Sequence, residues 1–317
     1  MNARELERQL ETYLTVRSAL GHRDYGLRRL MQDFVRYVIA RHDDVPIRAR
    51  IAVDWACTTS GRNGASRLAY RLSAARGFLT YLRASFPDTE VPQTGLLKKS
   101  ARRIPYLLAK GQIIDLLKRA SALGPAGSLR PYTYEAILGL MASTGIRVGE
   151  AIRLTTGDVK LDSHPSRLEI RESKFHKSRL VPLHPTTSER LRRYAEIRVR
   201  MGYGGSSSAF FVSERRTHLC YETLRCWFAR TTQDLDMCPE DGRRAPTLHG
   251  LRHYFAVQRL TLWCQQGAPV RDLAPNLSVY LGHVSPEESY WYLTSTPELL
   301  MTAGDSFQHY ATSGGGS

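Results

Sequence analysis

Along the first 86 residues apolar side chains recur every three or four positions, the spacing that keeps them on one face of a helix. Leu6, Leu10, Tyr13 and Leu14 make one stripe, and Leu27, Leu30, Met31, Phe34, Val35 and Val38 make a second. A third helix is predicted over about 47–57, and a fourth over about 64–84 with Leu68, Leu72, Ala75, Phe78, Leu79 and Leu82 on one face. Residues 1–86 therefore read as a four-helix domain. The next stretch, Pro87–Pro105, holds three prolines, a glycine and four basic residues, the composition of an interdomain linker lying close to a charged ligand.

From residue 106 the helical period returns in YLLAKGQIIDLLKRA and YTYEAILGLMAST, followed by a short helix through Leu154. The period then changes to two. Arg167–Arg171 and Arg179–Leu183 alternate polar and apolar residues, and the polar SKFHKS between them reads as a hairpin loop. Helices are predicted again at about 186–201, 219–235, 247–266, 271–281, 286–293 and 297–308. The expected fold is mainly α with a small antiparallel β-sheet, an α+β domain over 106–312 that follows the helical domain. The tail 313–317, SGGGS, reads as a linker or expression remnant and is set aside in predicting the fold. No internal repeat is visible.

Charge narrows the choice of partners. The 317 residues carry 45 Lys and Arg against 30 Asp and Glu, a formal net charge of +15. Seventeen basic and ten acidic side chains give residues 1–100 a net +7, which leaves +8 for the remainder. Only seven of the basic residues are Lys, and Arg is the side chain suited to bidentate phosphate contact. A polyanion would have to meet both halves of the chain. Nucleic acid, an acidic partner and simple solubility all fit the charge by itself.

The five cysteines, Cys57, Cys220, Cys226, Cys238 and Cys264, are scattered and include no C-x-x-C pair, so neither a disulfide framework nor a common zinc site is expected. No apolar run approaches the ~18 residues of a membrane span, and the charged, amphipathic start is unlike a signal peptide. A soluble, cytoplasmic protein is expected. Walker and dinucleotide phosphate loops, G-x-S-x-G and H-E-x-x-H are absent, which removes the usual support for nucleotide hydrolysis, Rossmann redox chemistry and serine or zinc hydrolysis.

What remains is a set of cationic and imidazole groups. Arg147 follows Gly145 near a helix start, where backbone N–H groups favour an anion, and Glu150 lies one turn on, able to brace Arg147 or support the helix. Lys174 and Lys177 sit at the hairpin tip. His249 and Arg252 are three apart and share a helix face, with His253 as the alternative to His249. Leu281-Gly282-His283 precedes the aromatic cluster Tyr290-Trp291-Tyr292. Taken singly, these are also what a surface arginine, a solvated turn, a structural histidine and core aromatics look like.

Their order is more specific. Thr-Gly-x-Arg-x-Gly-Glu, a hairpin Lys, His-x-x-Arg, Leu-Gly-His and a Tyr nine residues beyond that His together resemble the tyrosine recombinase (phage integrase) family. The resemblance spans roughly residues 106–310, and residues 1–86 resemble that family's helical core-binding domain. It implies that Arg147 and Arg252 clamp the scissile phosphate, Lys174 is the general acid, His249 and His283 are the two active-site histidines, and Tyr292 is the nucleophile. The family's loop usually reads Gly-Lys-Gly-x-Lys. Here Ser173 and Phe175 replace the glycines, and Lys177 is the alternative acid. Tyr290 lies two residues from Tyr292, about 200° away around a helix, so only one of the two can face the phosphate.

The implied function is site-specific recombination of double-stranded DNA by a homo-tetramer, through a 3′-phosphotyrosyl intermediate and a Holliday junction. It needs no metal and no small-molecule cofactor. The segment Pro297–Tyr310 would dock as a helix on a neighbouring subunit, as in relatives, or pack on its own domain. Two other classes fit parts of the pattern. A DNA-binding regulator without chemistry would use the same basic surface, and a metal-dependent nuclease or transposase would use carboxylates such as Asp158, Asp162 and Glu169.

Overall fold

The computed structural model describes residues 2–22, 25–41, 46–58, 64–97, 105–171, 178–204, 208–237, 239 and 245–282. The chain divides into two compact units, Met1–Arg102 and Arg103–Ser317.

The first unit is built from α1 (Ala3–Ala19), α2 (Tyr25–Ile39), α3 (Ala49–Cys57) and α4 (Ala65–Arg83). Asn2 starts α1 by accepting the Glu5 amide at 2.9 Å, the ordinary N-cap solution for an unpaired N–H. The predicted stripes face inward and bury Phe34, Trp55, Phe78 and their aliphatic neighbours in one core. Burying side chains of this size contributes roughly 1.5–3 kcal/mol each. Arg71 is buried with them. Its guanidinium lies 4.0 Å over the Trp55 ring and donates to the Trp55 carbonyl at 3.0 Å, while the Trp55 indole donates to Asp33.

The early part of the proline-rich stretch is folded onto this unit. Glu90 accepts the Ala49 amide and pairs with Arg48 at the head of α3, and Arg76 donates to the carbonyls of Pro92 and Gln93.

The second unit contains α5 (Lys110–Ser121), α6 (Arg130–Thr144), α7 (Val148–Arg153), β1 (Val159–Lys160), β2 (Arg167–Ile170), β3 (Arg179–Pro182), α8 (Pro185–Arg198), α9 (Tyr221–Asp234), α10 (Leu248–Gln265) and α11 (Val270–Leu281). The strands form one antiparallel sheet in the order β1-β2-β3. Most helix ends fall within a residue or two of the predicted ones, the usual scatter of frayed termini.

Three details differ from the pattern reading. The first helix starts at Lys110 rather than 106, because Gln112 turns back to accept the Ala109 amide and donate to the Tyr106 hydroxyl. α8 stops at Arg198 and passes into a π-type turn, Val199–Tyr203, where Gly202 takes φ +80°. β1 is absent from the expected elements, since two residues are too few to show a period of two.

α6 runs through the centre. Its buried residues, from Thr133 to Thr144, lie on several faces, as in a helix covered nearly all round. α5, α8 and α10 pack against it, and Trp227 of α9 meets Tyr134 of α6 edge to face. A smaller cluster, Phe255, Ala256, Val257, Leu260, Leu277 and Leu281, joins α10 to α11. The predicted helices 286–293 and 297–308 and the hairpin-loop residues 173–177 lie outside the described residues.

Candidate active site

α6 ends at Gly145, which takes the left-handed conformation at φ +66° and donates to the Met141 carbonyl. The chain turns and restarts as α7 with Arg147 at its N-cap. The anion at this helix start is supplied by the chain itself. Glu150 reaches back to accept the Arg147 amide at 2.9 Å and Arg147 Nη1 at 3.0 Å. The expectation of a brace is met, and the Arg147 amide is occupied by that carboxylate.

Two further arginines arrive from distant elements. Arg179, the first residue of β3, donates Nη1 and Nη2 to the two oxygens of Glu150 at 3.1 and 2.8 Å, and its Nε donates to the Tyr280 carbonyl at 2.9 Å. Arg252, on α10, donates Nη1 to the Gly145 carbonyl at 2.9 Å and Nη2 to the Leu281 carbonyl at 2.7 Å. Arg147 Nη2 donates to the Gly282 carbonyl at 2.7 Å. Three successive carbonyls at the end of α11 thus each meet a guanidinium. A helix C-terminus leaves such carbonyls without intrahelical partners and carries partial negative charge, so cations are favoured there.

The three guanidinium groups differ in access. Arg252 is 1% exposed, whereas the Arg147 side chain is 25% exposed and the Arg179 side chain 12%. His249 is exposed in the first turn of α10, and His253 one turn on is buried, with the two rings edge to face at 4.6 Å. The structure therefore brings Arg147 and Arg252 together around the end of α11, one residue before His283. His249 shares the helix that supplies Arg252. Lys174, Lys177, His283, Tyr290 and Tyr292 lie outside the described residues.

Arg179 is the residue that pattern reading missed. Its signal was the strand register: Arg179 is two residues from buried Val181 and pairs with buried Ile170, so it points to the core side, while Leu180 between them is 60% exposed. Two of the three carboxylates of the metal-nuclease alternative have other work, since Asp158 caps its own turn through Thr155 and shares Arg171 with Glu169. Among the described residues no group of three or more His, Cys, Asp or Glu is placed to hold a metal ion, and no helix is long and apolar enough to cross a membrane.

Burial pushes the Glu150 carboxyl up, but the Arg179 hydrogen bonds and charge, with the Arg147 amide and charge, outweigh it and bring the pKa down to about 2. The ordinary value is 4.5, so the pair contributes stability that is complete above that pH and is lost as pH falls toward 2. The difference corresponds to about 3 kcal/mol. Urea unfolding followed from pH 5 to pH 2.5 is expected to show this acid loss in the wild type and a clearly smaller one in Glu150→Gln. Equal slopes would mean that the ion pair adds nothing. Tyr280, whose carbonyl receives Arg179, has its own phenol pushed up to about 12 by burial and stays neutral.

A mainly helical domain with a three-stranded antiparallel sheet and arginines gathered at one helix end describes a class, and the relatives of the chain say which. The model of the phage integrase family matches residues 108–298. y4rE of Sinorhizobium fredii, an integrase/recombinase by name, is 34% identical over 304 residues, covering 96% of each chain. Among solved structures, the XerH site-specific recombinase in a post-cleavage complex with palindromic difH superposes with TM-score 0.67 at 18% identity, covering 97% of this chain and 85% of that one. A lambda integrase tetramer bound to a Holliday junction gives TM-score 0.61 at 18% identity, covering 89% and 78%. The chain belongs to the phage integrase family, the tyrosine recombinases, which are enzymes of DNA recombination.

Proposed function

We propose that the protein is a site-specific recombinase that cuts and rejoins double-stranded DNA through a 3′-phosphotyrosyl intermediate. Tyr292 gives its proton to His249 and attacks the phosphodiester as the phenolate, breaking the P–O5′ bond, Arg147 and Arg252 meet the charge that grows on the non-bridging oxygens, and Lys174 protonates the departing 5′-oxygen. His283 completes the set. Four subunits synapse two sites and exchange strands through a Holliday junction, with residues 1–86 and 106–312 as the two domains that grip the duplex. The observation that carries this reading is the meeting of Arg147 and Arg252 on consecutive carbonyls, Gly282 and Leu281, next to His283.

The chemistry asks for such a cluster. A phenol of pKa about 10 is roughly one part in a thousand ionised at neutral pH, and nearby cations favour the phenolate. A 5′-alkoxide leaves poorly unless protonated, which is the part given to Lys174. About four charge-assisted hydrogen bonds at roughly 1.5–3 kcal/mol each supply ~6–12 kcal/mol. That reaches the lower part of the ~8–23 kcal/mol typical of enzymes, so orientation and proton transfer must add to it.

The test is a nicked suicide DNA site, which traps the covalent intermediate. Wild-type protein is expected to give an SDS-resistant protein–DNA adduct without added metal, and Tyr292→Phe none. An undiminished adduct with Tyr292→Phe would remove Tyr292 from its role, and activity that vanishes in EDTA would favour carboxylate-metal chemistry instead.

A further inference from the structure

We propose that Arg179 is a positioning residue of this active site: it locks Glu150 to the end of α11 and, through Glu150, fixes the direction of the Arg147 guanidinium. The inference rests on the proposed recombinase chemistry, and concerns a residue that itself touches no reacting atom.

Arg179 directs its donors to other parts of the chain. All three of its nitrogens are bonded inside the protein, two on the paired oxygens of Glu150 and one on the Tyr280 carbonyl. The guanidinium is thereby committed to acceptors of the protein. Its fork instead joins three pieces of chain: the start of β3, the first turn of α7 and the last turn of α11. Glu150 is the hinge of this arrangement. Its side chain is only 2% exposed, and each of its oxygens is shared between Arg179 and Arg147, Oε1 with the Nη1 of both residues and Oε2 with Arg179 Nη2 and the Arg147 amide. Turning the carboxylate therefore turns Arg147.

Space around Arg179 is reserved as well. Gly282 adopts φ +68°, and a Cβ there would lie 3.0 Å from Arg179 Nη1. The glycine leaves room for the guanidinium while its own carbonyl receives Arg147. Arg179 also opens β3, so the start of that strand is tied to the same knot. A lysine at this position has a single ammonium, which cannot bridge both carboxylate oxygens and a carbonyl with fixed geometry.

A purely structural ion pair would affect melting alone, and a positioning residue changes cleavage with a particular signature. Among the described residues, Arg147 from the head of α7 and Arg179 from β3 are the charged groups that face Glu150, and the nearby Tyr280 phenol stays neutral. Without Arg179, burial is opposed by Arg147 alone, so cleavage by Arg179→Gln should fall off toward low pH in a range where wild type is flat.

The experiment uses the full chain and the nicked suicide site in single-turnover cleavage at saturating DNA, with wild type, Arg179→Gln, Arg179→Lys, Glu150→Gln and the double variant Arg179→Gln/Glu150→Gln. Misplacing one reacting group by about 1 Å costs ~100-fold, the loss expected for Arg179→Gln with DNA affinity changed by less than ~3-fold. Arg179→Lys should fall between it and wild type, and the double variant should be no slower than the slower single variant, since both changes break one unit. Cleavage by Arg179→Gln within a few-fold of wild type, or losses that multiply in the double variant, would overturn the proposal. Should Arg179→Gln not fold, Arg179→Lys decides: a lowered melting temperature with an unchanged cleavage rate overturns it, and a lowered rate with the acid fall-off supports it. A wild-type protein that forms no adduct overturns the recombinase reading and this inference with it, whereas a wild-type adduct with indifferent Arg179 variants overturns this inference alone.

Discussion

Alanine in place of Arg252 is expected to damage both the fold and the chemistry, while alanine in place of Arg147 slows the chemistry alone. The difference lies in what each guanidinium holds up. Arg252 is 1% exposed and joins α10 to the turn after α6 and to the end of α11 by donating to the Gly145 and Leu281 carbonyls. Removing it strands two buried acceptors that had charged donors, each worth roughly 1.5–3 kcal/mol, and leaves a hole in the packing. Releasing a buried charge from its desolvation cost offsets part of this, so a net loss of about 3–5 kcal/mol is expected. Arg147 has a quarter of its side chain in solvent and rests on Glu150, which Arg179 still holds when Arg147 is gone. Its loss should leave urea unfolding and DNA affinity nearly unchanged and lower single-turnover cleavage by ~10²–10³, the range for one donor aimed at transition-state charge. The pair is checked by unfolding, filter binding and suicide-site cleavage on the same preparations. Binding and cleavage falling in step for Arg147→Ala, or wild-type stability for Arg252→Ala, would contradict the division.

That asymmetry could not be read from spacing. The order of motifs points to Arg147 and Arg252 because each stands in a short local signature, Thr-Gly-x-Arg and His-x-x-Arg. Which one is buried depends on where α10 crosses the end of α6, a tertiary fact with no local pattern. Arg179 shows the same limit from the other side. In an alternating strand a charged first residue reads as solvent-facing, and only the pairing of Ile170 with Arg179 shows that it lies on the buried face, where Glu150 compensates it.

Elements whose stability is local were the legible ones. α1 and α2 carry apolar stripes, Leu6–Leu14 and Leu27–Val38, of roughly two and a half and three turns, and α6, although nearly covered, is marked by Pro131 at its first turn and Gly145 at its end. β1 is two residues long and exists because β2 offers it an edge. The residues after Pro87 look like linker by composition, yet Glu90 is held to the first unit because α3 begins with amide groups that need an acceptor. Local chemistry thus sets most helices, and long-range pairing sets the site.

The second large effect is expected at Gly145, where conformation and close approach act together. Gly145→Ala places a side chain at φ +66°, a strain of roughly 1–2 kcal/mol for an L-residue. Its Cβ would lie 2.5 Å from Phe255 Cδ1 and 2.9 Å from Leu281 Cδ2, so the ring of α10 and the last residue of α11 must give way. Overpacking of this kind costs about 1–3 kcal/mol, for a total of ~2–5 kcal/mol. The displaced helices carry His249, Arg252 and the carbonyl that Arg252 holds, so cleavage should fall more than stability alone explains. Gly202 provides the control. It has φ +80° with nothing within 4 Å of its Cβ position, so Gly202→Ala should show only the conformational cost, ~1–2 kcal/mol, and cleave DNA as wild type does. The difference between the two alanine variants isolates the crowding at the turn between α6 and α7. Equal unfolding free energies for both would mean that Phe255 and Leu281 yield without cost, and the site would then not depend on the close approach of α10 and α11 to Gly145.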